Sequence, residues 1–285
     1  MTRTSHRFVA PSGLSLAVHE WGGTGDPVLL AHPTGFHGVV WQPVAERLVA
    51  RGRRVWSFDF RGHGDSDAAD DRRFAWSEFA DDADAVLDHL SLRGDPHLLA
   101  AGHSKGAASL LTVAVRDPES LARVWCYEPI VFPFDDPFPT GADNPMSAAA
   151  RRRRGVWPSR EEAKTSYASK PPLDALCDDA LDAYVDYGVR DLPDGTVELK
   201  CRPHDEASMY EMGAANGLFG VLGEVTCPVR VVCGATSRSI PPSLGETLVE
   251  RLAHATLEVW NGNGHFGPLE DPDHAVESML GFADA

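Results

Sequence analysis

A serine in the surroundings of a reactive nucleophile lies in residues 101–108, AGHSKGAA. Ser104 stands midway between Gly102 and Gly106, after the apolar run HLLAA and before the helix-like run ASLLTVAV. Gly-x-Ser-x-Gly between a strand and a helix is typical of a tight turn, since side chains at the glycine positions would collide with the neighbouring elements. The pattern predicts that Ser104 is a nucleophile at a helix N-terminus, where developing negative charge is favoured.

A serine hydroxyl becomes a useful nucleophile only when a base takes its proton. His265 lies in a turn-rich loop, NGNGHFGPLEDP, between the last predicted strand and the last predicted helix. This loop returns to the edge of the sheet at which Ser104 is expected. We therefore predict that His265 is the general base, whereas His103, beside the serine, is predicted to point away from the hydroxyl and to pack against its neighbours.

The oxyanion that forms on the substrate needs backbone N–H donors. One donor in such a turn is the residue after the nucleophile, Lys105. The second is expected from the loop HPTGFHG, residues 32–38, which follows the strand PVLLA. Pro33 has no N–H and cannot donate. Thr34 is therefore the predicted second donor, with Gly35 as the fallback.

The elements that must position these residues alternate along the chain. Two β-type runs on either side of PSG predict an opening hairpin, and short apolar strands then alternate with helices as far as RVWCYE (123–128). This alternation is typical of a parallel sheet covered by helices on both faces. Prolines, aromatics and helix-like pieces follow before strand signals resume at PVRVVCG (228–234). We predict a core domain of residues 1–130 and 226–285, interrupted after the sixth strand by a mainly helical lid, residues 131–225.

These segments together resemble the α/β-hydrolase superfamily over nearly the whole chain. The resemblance is carried by HPTGFHG, SFDFRGHGDSD (57–67), GHSKG and GHFGPLEDP. It implies an α/β-hydrolase fold, with a mostly parallel eight-stranded sheet flanked by helices and an inserted helical cap. In the second segment, Asp59 and Arg61 are expected to hold loops around the site and not to react.

The acid of the catalytic triad departs from the common pattern of that superfamily. Most members carry it just after the seventh strand, but no carboxylate lies between Gly234 and Ser243, and Ser237 or a neighbour takes the expected place. Glu128, at the end of the sixth strand, is the alternative, because a triad is defined by geometry and not by chain order. We predict that Glu128 orients His265. The competing interpretation is that Glu128 only caps or bridges the lid.

Such an acid position is similar to that of the zearalenone lactone hydrolases. The shared features are Glu128, the acid-free segment CGATSRS and the histidine loop NGNGHF, whereas HPTGFHG departs from that family at His32. The resemblance implies a serine hydrolase of a carboxylic ester, most specifically a lactone such as a zearalenone-like macrolactone. No metal or organic cofactor is expected, because the nucleophile, base, acid and oxyanion donors complete the chemistry. Haloalkane dehalogenases also place an acid after the sixth strand, but they use an aspartate nucleophile, which Ser104 excludes.

Aromatic side chains of the lid and of the oxyanion loop suit a flat, apolar substrate. Five residues are predicted to contact it: Phe36, Phe132, Trp157, Tyr187 and Tyr210. Other large side chains of the lid belong either to the same surface or to the core of the lid: Phe134, Tyr184, Met209 and Phe219.

Two other functions stay open at this stage. One is a C–C bond hydrolase of a vinylogous diketone, for which Arg151–Arg154 or Lys105 would supply a cation to bind the substrate carboxylate. The other is a catalytically inactive binding protein on the same fold. The second is disfavoured by the presence of Ser104, His265 and a candidate acid.

Composition excludes further classes of protein. The chain of 285 residues has a net charge of −16, which should repel nucleic acid and anionic membranes. The basic run Arg151–Arg154 is flanked by acids, and we expect it to be a solvated helix face. The five cysteines show no CxxC spacing, which argues against a disulfide framework and a zinc site. Without a secretory or membrane-spanning apolar run, a cytoplasmic protein is expected. The oligomeric state, a homodimer included, stays open.

Overall fold

An eight-stranded sheet organises the chain in the computed structural model, which describes residues 3–133 and 140–285 and, within them, all side chains except that of Ala142. The strands of the described residues are β1 (Thr4–Val9), β2 (Ser15–Gly22), β3 (Pro27–Ala31), β4 (Arg54–Phe58), β5 (Leu99–His103), β6 (Arg123–Tyr127), β7 (Val156–Trp157), β8 (Val189–Asp191), β9 (Val197–Leu199), β10 (Val229–Gly234) and β11 (Ala255–Trp260). The helices are α1 (Gln42–Ala50), α2 (Trp76–His89), α3 (Lys105–Arg116), α4 (Pro145–Arg151), α5 (Arg160–Ala168), α6 (Asp178–Gly188), α7 (Pro203–Glu211), α8 (Pro242–Val249), α9 (Gly267–Glu270) and α10 (Pro272–Ala283).

The strand order of the large sheet is β1-β2-β4-β3-β5-β6-β10-β11. Strand β2 pairs antiparallel with both β1 and β4, and the other neighbours pair in parallel. Helices cover both faces. The predicted fold, a mostly parallel eight-stranded sheet flanked by helices, is confirmed. Strands β5, β6 and β10 are neighbours, so the segments that follow them meet at one edge of the sheet.

Central strands are buried on both faces, as their continuous apolar sequences require. In β3, Leu29 and Ala31 pack into one apolar cluster and Val28 and Leu30 into the other, because successive side chains of a strand point to opposite faces. Side chains of α2, α3 and α8 complete the first cluster, and those of α1 and α10 complete the second. The two layers fix the ends of the strands, and thereby the segments that carry the candidate site.

The segment between β6 and β10 forms the lid, and its architecture differs in part from the expectation. Helices α4 to α7 lie in it, but it also contains a three-stranded antiparallel sheet in the order β7-β9-β8. These strands are only two or three residues long. Runs that short do not produce a detectable alternation of apolar and polar residues, so the sequence did not predict this small sheet within the mainly helical lid.

Three further features of the chain concern membrane-spanning helices, disulfides and groups of metal ligands. Among the described residues, no helix combines the length and apolar character needed to span a membrane. The five cysteines are free thiols. In the same part of the chain, no three His, Cys, Asp or Glu side chains are grouped so that they could hold a metal ion.

Candidate active site

The turn at Ser104 joins β5 to α3 in a strained conformation. Ser104 has φ 56° and ψ −116°, a backbone region that residues with a Cβ atom rarely adopt. Both flanking glycines allow close approach of other backbone: a Cβ at Gly102 would lie 2.5 Å from Ala107 N, and one at Gly106 would lie 2.4 Å from Ala31 O. The glycines therefore permit the turn that presents the Ser104 side chain, as the sequence pattern predicted.

Glu128 and His265 form a direct contact at the same edge of the sheet. The Nδ1 atom of His265 lies 2.5 Å from Glu128 Oε2. Glu128 is fully buried, and its φ of 45° again lies in the left-handed region. Its carboxylate also accepts hydrogen bonds from the Gly234 N–H, at 3.0 Å, and from the Ser237 hydroxyl, at 2.8 Å. Three donors thus compensate a buried carboxylate, as its burial requires.

The loop that carries His265 is held by a residue that sequence reasoning missed. Glu270 accepts the Gly264 N–H at 2.8 Å and the Phe266 N–H at 3.1 Å, so that it binds the backbone on both sides of His265. The hydroxyl of Tyr127 donates to Gly264 O at 2.6 Å. A glutamate at the end of the short helix that follows the histidine loop was the signal available in the sequence.

His103 lies against His265, and neither of its buried ring nitrogens has a hydrogen-bond partner among the described residues. The two imidazole centroids are 4.9 Å apart, and the His103 ring also meets the rings of Tyr127 and Phe266 edge-on. Burial, and next the charge of His265, hold the pKa of His103 well below its ordinary value. His103 is therefore a neutral packing partner of His265, in line with the packing role predicted for it.

The oxyanion loop is fixed by His63. The Gly35 N–H donates to His63 Nε2 at 3.2 Å, while His63 Nδ1 lies 2.9 Å from Arg61 O. This pair of contacts fits the tautomer with the proton on Nδ1. The N–H of Gly35 is committed to His63, so the fallback assignment of Gly35 as an oxyanion donor is corrected. Thr34 lines the cavity beside Ser104, and its N–H meets no acceptor within the described residues.

Lys105 contributes its backbone to the site while its side chain points into the core. As the first residue of α3, it has an N–H without an acceptor inside the helix. Its ammonium lies 4.2 Å from the ring centroids of Phe60 and Phe79 and 3.4 Å from His63 Nε2. Burial lowers the pKa of Lys105 to about 7. The alternative that this side chain binds a substrate carboxylate is therefore wrong.

Two charged residues of the segment DFRGHGDS hold loops, which is the role expected of them. Asp59 accepts the N–H groups of Gly38, at 2.6 Å, and Asp65, at 2.8 Å. Burial opposes the ionisation of Asp59, but the charge and hydrogen bond of His19 outweigh it and lower the pKa of the carboxyl. Arg61 forms a two-pronged ion pair with the buried Asp82. Neither residue lines the cavity that contains Ser104.

A cavity of about 390 Å³, here called the inner cavity, contains the candidate nucleophile and base. Its wall includes Ser104, His265 and Thr34, together with apolar side chains of the lid. A second cavity of about 650 Å³, the outer cavity, lies between lid segments. The two cavities adjoin, because four residues contribute to both walls: Met146, Pro172, Tyr210 and Phe266.

Four of the five predicted substrate-contacting residues line a cavity wall. Phe132 lines the inner cavity, Phe36 and Trp157 line the outer one, and Tyr210 lines both. Tyr187 is a correction: it lies in the last turn of α6, is 38% exposed and packs under the guanidinium of Arg3, at 4.2 Å. It contributes to neither cavity wall. Phe134 lies outside the described residues.

The basic run after α4 differs most from the expectation. Only Arg151 belongs to the helix, where it pairs with Glu211. Arg152, Arg153 and Arg154 follow the helix end and line the outer cavity, so the expected helix face is wrong for these three residues. Arg152 and Arg154 are exposed to solvent, as expected, whereas Arg153 is half-buried. Arg153 pairs with Glu206 and also donates to the Tyr184 hydroxyl at 2.6 Å.

Comparison with known proteins places this arrangement in a family. A model of the alpha/beta hydrolase family matches residues 28–278. A monoacylglycerol lipase of Mycolicibacterium smegmatis is 27% identical over 282 residues, covering 93% of this chain and 90% of the lipase. A 2-(acetamidomethylene)succinate hydrolase of Mesorhizobium japonicum is 24% identical over 277 residues, covering 95% of this chain and 92% of the relative. The crystal structure of an E-2-(acetamidomethylene)succinate hydrolase has a TM-score of 0.82 to this chain, at 21% identity and with 100% of both chains covered.

Proposed function

The chain belongs to the α/β hydrolase family, and on that premise we propose that it hydrolyses a carboxylic ester by means of Ser104, His265 and Glu128. The observation that carries the proposal is the 2.5 Å contact between Glu128 and His265 at the wall of the cavity that Ser104 lines. A nucleophile, a base and an acid that orients the base are the groups that acyl transfer needs. The similarity to a monoacylglycerol lipase supports an ester substrate.

In the proposed mechanism, Ser104 Oγ attacks the ester carbonyl while His265 takes the hydroxyl proton. Because Nδ1 of His265 faces Glu128, Nε2 is the nitrogen that accepts this proton. The backbone N–H groups of Lys105 and Thr34 bind the oxyanion. Collapse breaks the ester C–O bond, and His265 returns the proton to the leaving alkoxide. Water, deprotonated by His265, then attacks the acyl-enzyme and releases the acid and free Ser104.

A lactone is the finer form of the proposal. Its support is the position of the acid, Glu128 after β6, together with the serine at the place where most superfamily members carry the acid. The two adjoining cavities, about 390 Å³ and about 650 Å³, offer space for a large substrate. Aromatic side chains on their walls favour flat, apolar groups. In a lactone the leaving alkoxide stays attached to the acyl chain, so a single hydroxy acid is released.

The test combines labelling with a substrate panel. A fluorophosphonate probe should label Ser104 of the wild type and should not label Ser104→Ala. p-Nitrophenyl esters and macrolactones should be hydrolysed by the wild type, and Ser104→Ala should fall to background with unchanged folding by circular dichroism. A Ser104→Ala protein that kept more than a few per cent of the rate would contradict the assigned nucleophile. Failure of the probe to label the wild type would favour an inactive binding protein.

C–C bond hydrolysis of a vinylogous diketone is the second candidate, because arginines line the outer cavity. Such a substrate has a carboxylate that a cation must bind. Assaying a vinylogous diketone beside the ester panel separates the two activities. Faster turnover of the diketone than of every ester and lactone would replace the ester proposal.

A further inference from the structure

The walls of the two cavities carry a charge opposite to that of the protein. The chain has 42 acidic residues against 26 lysines and arginines. Among the residues that the structure describes, the cavity walls nevertheless contain five cationic side chains and one carboxylate, that of Glu206. The cations are Arg152, Arg153, Arg154, Lys170 and Arg238. A cavity lined with one sign of charge concentrates ligands of the opposite sign.

The single carboxylate does not neutralise this set. Glu206 forms an ion pair with Arg153, whose guanidinium is further occupied by the Tyr184 hydroxyl. The other four cations, Arg152, Arg154, Lys170 and Arg238, make no ion pair with any residue in the described ranges. Many surface arginines of this acidic chain do pair with carboxylates, as Arg151 does with Glu211.

Three of the unpaired cations line the outer cavity, and they differ in whether their N–H groups already donate hydrogen bonds to other residues. Arg154 donates to Val156 O at 2.8 Å and covers the Trp157 ring, and Lys170 lies 3.3 Å from the Ser166 hydroxyl. The guanidinium of Arg152 donates to no group of the described residues. Among these three cations of the outer cavity, Arg152 therefore has the free planar fork, which is the geometry that binds carboxylate and phosphate in a bidentate manner. Arg238, which lies in the wall of the inner cavity, also has a guanidinium that donates to no group of the described residues.

We infer that the outer cavity binds a terminal anionic group, a carboxylate or a phosphate, of the substrate whose ester bond lies at Ser104 in the inner cavity. The shared wall of Met146, Pro172, Tyr210 and Phe266 gives the substrate a continuous apolar path between the two ends. The inference rests on the proposed ester hydrolysis and specifies the substrate class. Arg152 binds the anion directly, and Arg154 and Lys170 raise the local positive potential.

The experiment compares substrates that differ in one charge. Monomethyl esters of straight-chain dicarboxylic acids of increasing length are assayed beside the same esters with the free carboxylate replaced by a carboxamide. At the matching length, kcat/KM should be about tenfold higher for the acid than for the amide, since hydrogen bonds to charged groups contribute that much. High salt should reduce the ratio. A third series with a terminal phosphate shows which anion is preferred.

Two matched variants test whether Arg152 binds the anionic group. Arg152→Gln should lower the acid-to-amide ratio about tenfold, whereas Arg251→Gln, which removes the same charge, should leave the ratio unchanged. Arg251 follows α8, at the edge of the sheet opposite to the site, and it lines neither cavity. Equal kcat/KM for acid and amide at every length, or an equal loss of both in Arg152→Gln, would overturn the inference.

Binding is measured separately from hydrolysis so that the two proposals fail independently. Octanedioic acid and its diamide are titrated into the wild type and into Arg152→Gln by calorimetry. The diacid should bind the wild type more tightly than the diamide, and Arg152→Gln should remove the difference. A selective diacid complex in a protein that hydrolyses no ester would refute the proposed function alone. No selectivity in a protein that hydrolyses neutral esters would refute the anion site alone.

Discussion

Ser237 donates its hydroxyl hydrogen to Glu128 Oε2 at 2.8 Å, and the same carboxylate oxygen contacts His265 Nδ1 at 2.5 Å. The serine that occupies the usual position of the acid is therefore a hydrogen-bond partner of Glu128, the carboxylate that we propose as the acid. Side chains from two different backbone positions, one after β6 and one after β10, therefore meet at the carboxylate oxygen that contacts the imidazole.

The first prediction tests whether Glu128 acts as the acid and whether a carboxylate at position 237 can take its place. Glu128→Gln keeps the shape of the side chain but removes its charge, and kcat should fall about a hundredfold or more, since loss of the charged triad acid costs a serine protease about 10⁴. Glu128→Ala should fall at least as far. Adding Ser237→Asp to Glu128→Ala should recover about tenfold, because the new carboxylate starts from a position within hydrogen-bond distance of the lost one.

Kinetics with a p-nitrophenyl ester provide the measurement, and Ser237→Ala is the control. It removes one of three donors to a buried carboxylate but no charge, so a loss of only severalfold is expected. A nearly silent Glu128→Gln together with an inactive Ser237→Ala would show that Glu128 does not act as the acid.

The central part of the site could be predicted from sequence because its signals are local. The turn at Ser104 needs glycines at fixed offsets, and the order of strands and helices determines that the segments after β5, β6 and β11 meet at one edge. Because no acid follows β10 before Ser243, the sequence predicted the acid at the end of a neighbouring strand, where Glu128 lies. Each of these inferences depends on short segments whose structure does not require knowledge of distant contacts.

The lid could not be predicted in the same way. The exposure of Tyr187 depends on how α6 packs against α1 and α5, and the position of Arg152 in a cavity wall depends on how α4 packs against α7. No local pattern encodes that packing. Glu270 was missed for a related reason. Its carboxylate accepts two backbone N–H groups of a loop, and only the folded loop shows that these groups converge.

The second prediction concerns Glu270, which holds the backbone on both sides of His265. Glu270→Gln leaves one carbonyl oxygen in place of two carboxylate oxygens, so one of the two N–H groups loses its acceptor. The histidine loop should loosen, and kcat should fall about tenfold while KM changes little. Steady-state kinetics measure the split between the two constants. Asp271→Asn, in the next residue, is the matched control, and an equal effect of both variants would contradict the assigned role.

The third prediction concerns the strain at Ser104. Ser104→Gly and Ser104→Ala should both be inactive, but the glycine variant should have the larger free energy of unfolding, by roughly 1 kcal/mol. The reason is that φ 56° with ψ −116° is open to glycine and costly for alanine. Urea unfolding of the two variants provides the comparison. An alanine variant as stable as the glycine variant would show that the turn stores no backbone strain.

The last prediction concerns the buried Lys105, whose pKa burial lowers to about 7 from an ordinary value near 10.5. Between these two pH values the unfolded chain holds a proton on this lysine that the folded protein has released. Rising pH therefore stabilises the fold through Lys105, and below about pH 7 the folded protein carries the full cost of a buried charge. Lys105→Met removes the charge and approximates the shape of the side chain, so the variant should be more stable than the wild type at neutral pH.

Urea unfolding of both proteins at about pH 7 and about pH 9 gives the measurement, and the wild type should gain about 2 kcal/mol relative to Lys105→Met between the two. The difference between the proteins isolates Lys105, because tyrosines and cysteines that titrate in this range are common to both. His63 does not interfere, since burial, and next the charge of Lys105, hold its pKa well below 6.5. If the two proteins show parallel stability across this range, Lys105 is not the titrating group and its ammonium is stabilised by the rings of Phe60 and Phe79 at neutral pH.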